Sequence, residues 1–108
     1  MKRMKKVYIS LPISGRPIEE AKANAERVKE MLEELGYEAV SPFDVVPEVP
    51  KGMTPSQAYA YCMGRDIEAL MQCDGIYLCN GYQQSKGCQL ELEAARLYGI
   101  EIANRESK

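Results

Sequence analysis

The chain contains no histidine. That absence removes Ser-His-Asp and Cys-His catalysis, so any acid–base chemistry falls to carboxylates, tyrosines or lysines. The four cysteines, Cys62, Cys73, Cys79 and Cys88, form no C-x-x-C pair. Without imidazole, a zinc site would rest on scattered thiolates, so reduced, partly buried thiols and no metal are expected. No apolar run is long enough to cross a bilayer, and the N-terminus lacks the apolar stretch and small-residue cleavage site of a secretory signal. These features predict a cytoplasmic protein with no membrane partner. An excess of charge of one sign is missing too: the net charge is -2 and the pI near 5.2. A nucleic-acid polymer or an anionic membrane needs a clear surplus of Lys and Arg, so a small-molecule ligand fits better. The basic residues Lys2, Arg3, Lys5 and Lys6 read as a solvated lead-in to a first strand. No internal repeat or low-complexity segment is present.

The 108 residues, 45% of them hydrophobic, suffice for one modest core and a single domain over 1–108. Val7, Tyr8 and Ile9 lie in a short β-rich run over 6–10, followed by a loop over 11–17 carrying Pro12, Gly15 and Pro17. Ala21, Ala25, Val28, Met31, Leu32 and Leu35 recur at helical spacing before Gly36, which predicts an amphipathic helix over 18–35. A second strand is expected over 37–41. The segment 42–53, broken by Pro42, Pro47 and Pro50, reads as a loop and a candidate lid. Thr54 and Pro55 open a second helix that continues to about Gln72. A buried strand over 74–80, a polar loop over 81–85, a third helix over 87–98 and a strand over 100–103 complete the order β-α-β-α-β-α-β. This alternation specifies an α/β domain of three layers, Rossmann-like, with a parallel sheet of about four strands and helices on both faces. Right-handed crossovers make 2-1-3-4 the natural strand order. Ligands of such sheets bind beyond the carboxyl ends of the strands, near the switch between strands one and three.

Glu91 lies about one turn into the last helix and is predicted to share a face with Gly87, Ala94, Ala95 and Tyr98, partly shielded from water. On spacing alone, the plainer reading stands first: an acid that complements the helix dipole. Glu93 reads as surface. Asp66, beside Arg65 in the middle helix, reads by itself as an ordinary helix acid. Asp74 reads as structural, capping the end of the preceding helix or forming a turn. Ser14, Gly15 and Arg16 offer N–H groups, a hydroxyl and a guanidinium to an anion at a helix mouth. The alternative is a helix cap with one exposed arginine. Ser85 and Gly87, at the start of the last helix, would meet the same anion, and Ser85 is equally read as an N-cap.

Taken together, Tyr8 in strand one, Asp66, the run Cys73-Asp74-Gly75-Ile76 and the pattern Ser85-x-Gly87-x-x-x-Glu91-Leu92 resemble the nucleoside 2-deoxyribosyltransferase superfamily. The resemblance extends from Val7 to about Ile102. The spacing of Ser85 and Glu91 is similar to that in the 2'-deoxynucleoside 5'-monophosphate N-hydrolase branch. The closest overall pattern, Tyr8 to Gly15 and Gly81 to Gly87, is that of a compact, largely uncharacterised subfamily. The resemblance implies that Glu91 attacks or stabilises the anomeric carbon, Asp66 protonates or positions the departing base, and Tyr8 orients the glutamate. It implies further that Ser85, Gly87 and the turn of Ser14, Gly15 and Arg16 hold a 5'-phosphate, with a nucleoside or nucleotide as substrate and no cofactor. In the phosphate turn the chain departs from the hydrolase branch, having Leu11 and Pro12 and a single arginine, Arg16. It also ends soon after the fourth strand, so hydrolysis is expected over base exchange. Glycosidic cleavage passes through an oxocarbenium-like state that one carboxylate stabilises while a second acid assists the leaving group. Because a sheet of about four strands has exposed edges and a shallow crevice, a homodimer that covers apolar helix surface is expected. The rival is a non-catalytic nucleotide or nucleotide-sugar binding module of the same fold, and a purely structural domain ranks last.

Overall fold

The computed structural model describes residues 5–106. Its elements are β1 (Lys6–Ser10), α1 (Ile18–Glu34), β2 (Glu38–Val40), α2 (Pro42–Val45), α3 (Pro55–Leu70), β3 (Gly75–Leu78), a 3-10 turn (Tyr82–Gln84), α4 (Lys86–Leu97) and β4 (Glu101–Arg105). The four strands form one sheet in the order β2-β1-β3-β4, every pair parallel, as the alternation of elements requires. Of the basic lead-in, Lys2 and Arg3 lie outside the described residues.

Side chains alternate across a strand, and β1 uses both faces. Val7 and Ile9 join Ala25, Val28 and Leu32 of α1 in one apolar layer. Tyr8 points the other way, into a layer with Leu70, Ile76, Leu78, Leu92 and Ala95 beneath α3 and α4. Burial on both faces explains why β1 and β3 read as nearly continuous apolar runs.

Four local features differ from the sequence expectation. The start of the 42–53 segment is a short helix, α2, because Ser41 caps it by accepting from the Phe43 N–H at 3.2 Å and Pro42 suits the first turn. The 81–85 loop contains the 3-10 turn, entered through Gly81 at φ 91°. β4 runs on to Arg105 through a register shift beside Ile76 and Tyr77. Backbone pairing with β3 sustains it there, although Asn104 and Arg105 are exposed and carry no apolar signal. Asp74 accepts the backbone N–H groups of Lys5 and Lys6 at 3.0 and 2.9 Å, so it ties the start of β1 to β3 rather than capping a helix. By contrast, α3 begins where its sequence signals it: Thr54 and Gln57 form a reciprocal capping box and Pro55 follows the cap.

Candidate active site

Because Tyr8 and Ser10 are two apart on β1, both project toward α4, and Glu91 rises to meet them from the first turns of that helix. The Tyr8 hydroxyl donates to Glu91 Oε2 at 2.8 Å and the Ser10 hydroxyl donates to Oε1 at 2.6 Å. Glu91 is 5% exposed, and Tyr8 and Ser10 are buried completely or nearly so. The face that carries Glu91 inward is made with Cys88, Leu92 and Ala95. The expected partner Tyr98 is not on it: that residue is 67% exposed, because α4 ends at Leu97 and the chain turns away.

Asp66 reaches the same place from α3. It is 7% exposed rather than an open surface acid, since it shares the inward face of α3 with Leu70. Its neighbour Arg65 instead pairs outward with Glu68 at 2.6 Å. Asp66 Oδ1 is the one buried side-chain polar atom among the described residues with no hydrogen-bond partner. Burying an unmatched oxygen is unfavourable, and such an atom is rare away from sites of function.

Burial raises the pKa of all three groups. Burial pushes the Glu91 carboxyl up to about 7, against the two hydroxyl bonds that favour its charged form, while the nearby Asp66 charge raises it further. Burial also pushes Asp66 up to about 7, with the nearby Tyr8 phenol acting in the opposite direction. The phenol has one proton, and at 2.8 Å it is committed to Glu91. The two acids therefore titrate as a pair near neutrality, and the hydrogen bonds decide who holds the proton. The two donors on Glu91 favour its charged form, whereas the unpartnered Oδ1 of Asp66 favours a proton on that acid. Burial, then the charges of Glu91 and Asp66, holds the Tyr8 phenol well above its ordinary range, so it stays a donor. Burial likewise raises the thiols of Cys62 and Cys88, which keeps them neutral and poor as nucleophiles.

A cavity of about 770 Å³ opens above these residues. Tyr8, Asp66 and Glu91 line it, as do Ser14, Arg16, Ser85 and Gly87. Gly15 stands apart: it supplies the left-handed turn at φ 78° between Ser14 and Arg16 and is not among the lining residues. Ser85 does cap α4, its Oγ accepting from the Cys88 N–H at 3.2 Å, which leaves its O–H to donate toward the cavity. The first N–H groups of α4 have no acceptor within the helix and add positive potential at the same wall.

The sequence reading missed Ser10 and the special position of Gly81. Ser10 was legible through its spacing: it follows Tyr8 by two on a strand whose Tyr8 faces the site. Gly81 sits at φ 91°, and a Cβ there would stand 2.7 Å from Arg16 Nη2, so its bare Cα lets the guanidinium lie against the loop. That close approach spans 65 positions of chain and leaves no local mark.

Two outcomes follow from these contacts. Ser10→Ala removes one donor to the carboxylate, so the Glu91 pKa rises further; the acid limb of any pH–activity profile should move up by about one unit. Activity would then fall about tenfold near pH 6 and much less at pH 8. Gly81→Ala introduces left-handed strain and displaces Arg16, lowering stability by about 1–3 kcal/mol in a thermal melt. It should also weaken binding of phosphorylated ligands more than of unphosphorylated ones.

The fold defines a class of small α/β domain also seen in the 2-deoxyribosyltransferase of the psychrotolerant bacterium Bacillus psychrosaccharolyticus. The two superpose with a TM-score of 0.68 at 21% identity, over 92% of this chain and 70% of that one. Residues 5–104 match the model of the Domain of unknown function (DUF4406) family, and the chain belongs to that family. No curated protein matches it. Among the described residues no helix is long and apolar enough to cross a membrane.

Proposed function

We propose that the protein cleaves the N-glycosidic bond of a nucleoside or nucleoside 5'-monophosphate, with water as the acceptor. The observation that carries this reading is the pairing of Glu91, buried and held by two hydroxyls at 2.6 and 2.8 Å, with an unpartnered, buried Asp66 in one cavity. The likeness to the deoxyribosyltransferase fold supports it.

In this mechanism the bond between the anomeric carbon and the base nitrogen breaks with its electron pair going to the base. Protonated Asp66 delivers a proton to that base, and a carboxylate oxygen of Glu91 stabilises or bonds to the carbon. Water then attacks the carbon, Asp66 takes back a proton, and Glu91 is released unchanged. Tyr8 and Ser10 hold the carboxylate at the required angle and disperse its charge. Ser85, the α4 N-terminus, Arg16 and Ser14 receive a 5'-phosphate where the substrate carries one, while Gly87 leaves open space at that wall. Ordinary van der Waals distances would surround a Cβ at Gly87, the nearest atom being Met63 Sδ at 3.4 Å, so the missing side chain is space for ligand rather than a backbone requirement.

We assign this activity to the cytoplasm, in keeping with four free cysteines, and to a homodimer. The exposed Leu97 and Tyr98 beside the edge strand β4 support pairing, and sedimentation showing a monomer at working concentration would remove that part.

The deciding experiment is chromatographic detection of free base after incubation with ribo- and deoxyribonucleosides and their 5'-monophosphates. Release of base, with free sugar or sugar phosphate in equal amount, is the expected result. Thermal stabilisation by a nucleotide with no base released from any member of the panel would instead establish a binding module.

A further inference from the structure

The two walls of the cavity differ in chemistry. The loops after β1 and β3 and the start of α4 contribute most of its polar groups, among them Ser14, Arg16, Gln84, Ser85 and Lys86. The opposite wall, from α2, the segment following it and α3, contributes Phe43, Val46, Val49, Ala58, Tyr59 and Met63. Beside Asp66, the polar groups on that wall are the Tyr59 hydroxyl and the neutral Cys62 thiol. From Asp66 back to Tyr59, the lining runs about 10 Å along α3 at 1.5 Å per residue, farther than a fused two-ring base extends. Val49 and Tyr59 are 43% and 46% exposed, and Lys22 of α1 stands 6.0 Å over the Phe43 ring. A volume of about 770 Å³ is also toward the upper end of the roughly 300–1,000 Å³ of pockets that enclose small molecules.

Resting on the glycosidase reading, we infer that this wall is the leaving-group subsite and that it selects bases carrying an apolar substituent on the edge remote from the sugar. Asp66 fixes where the base begins, because its unpartnered oxygen must face the base nitrogen. Beyond it the wall has few groups with which to read a base edge by hydrogen bonds, so discrimination there comes from apolar area. An alkyl substituent would cover Val49, Phe43 and the Tyr59 ring, each buried CH₂ being worth about fourfold in binding. Bases differing only in the placement of ring amines and carbonyls are separated weakly, because no buried polar group is left unpaired by the wrong one.

The test compares 2'-deoxyadenosine 5'-monophosphate with its N6-butyl derivative. Binding of each is measured by calorimetry on Glu91→Gln, where turnover does not interfere, and kcat/KM on the wild-type protein. The butyl compound should bind at least tenfold more tightly. Val49→Asp, a change at an exposed position of an irregular segment, should erase that advantage, so that the two compounds bind the variant equally. Equal or weaker binding of the butyl compound, an advantage untouched by Val49→Asp, or no binding of either nucleotide would overturn the subsite. If the butyl preference holds in binding but neither compound is cleaved, the subsite stands and the glycosidase reading falls.

Discussion

Glu91→Gln should reduce base release by about 10³-fold or more, the loss of about 4 kcal/mol of transition-state stabilisation, while the protein stays folded. Glutamine is nearly isosteric. Its carbonyl oxygen still accepts from Ser10, and the Tyr8 hydroxyl can turn to accept from the new amide. What disappears is the negative charge that the proposed mechanism sets against the anomeric carbon. Stability should move in the opposite direction. The folded-state pKa of Glu91 is pushed above its ordinary 4.5 to about 7, so the folded protein binds that proton more tightly than the unfolded chain. The associated stabilisation is complete below about pH 4.5, declines as pH rises toward 7, and is gone above it. The variant lacks this decline and should be more stable than wild type at pH 8 by about 1–3 kcal/mol, read from urea titrations at several pH values. Activity lost together with stability would place Glu91 in the scaffold instead. Stability gained on losing activity marks a group whose burial is maintained for function.

Asp66→Asn should lower kcat by about 10²–10⁴-fold on ordinary nucleosides, with a change in the shape of the pH profile. In the proposed mechanism, turnover needs Glu91 ionised and Asp66 protonated, which predicts a bell centred near neutrality, as both groups are pushed to about 7. Asparagine has no proton to deliver or lose, so the alkaline limb vanishes and the residual rate rises with pH to a plateau. A substrate whose leaving group departs without protonation should lose far less than a natural nucleoside. A variant that retained the bell and was equally impaired on both substrates would reduce Asp66 to a positioning role.

The fold was legible because its signals are local. Helical spacing from Ala21 to Leu32, the Thr54-Pro55 opening and the apolar run over 75–79 are each written within a few residues, and the handedness of parallel crossovers then leaves few strand orders. The α2 turn was hidden by the prolines around it, and the end of β4 by polar side chains on an edge strand. The site was partly legible. Glu91, Asp66 and Tyr8 are visible as residues of suitable chemistry, yet Asp66 reads as a surface acid until α3 is turned inward, and Ser10 reads as the end of a strand.

By itself the sequence determined the order of the four strands and the three longer helices, the parallel sheet, the absence of imidazole chemistry and the residue types on which catalysis can draw. Only the tertiary structure decided that Tyr8, Asp66 and Glu91 line one cavity, with Ser10 hydrogen-bonded to Glu91, that Gly15 is not part of its lining, and that Arg16 rests on Gly81. It alone showed the apolar wall opposite the loops after β1 and β3. The reason is physical: propensity and periodicity act over a few residues, whereas burial, a raised pKa and a 2.6 Å hydrogen bond between Ser10 and Glu91 arise when distant segments exclude water together.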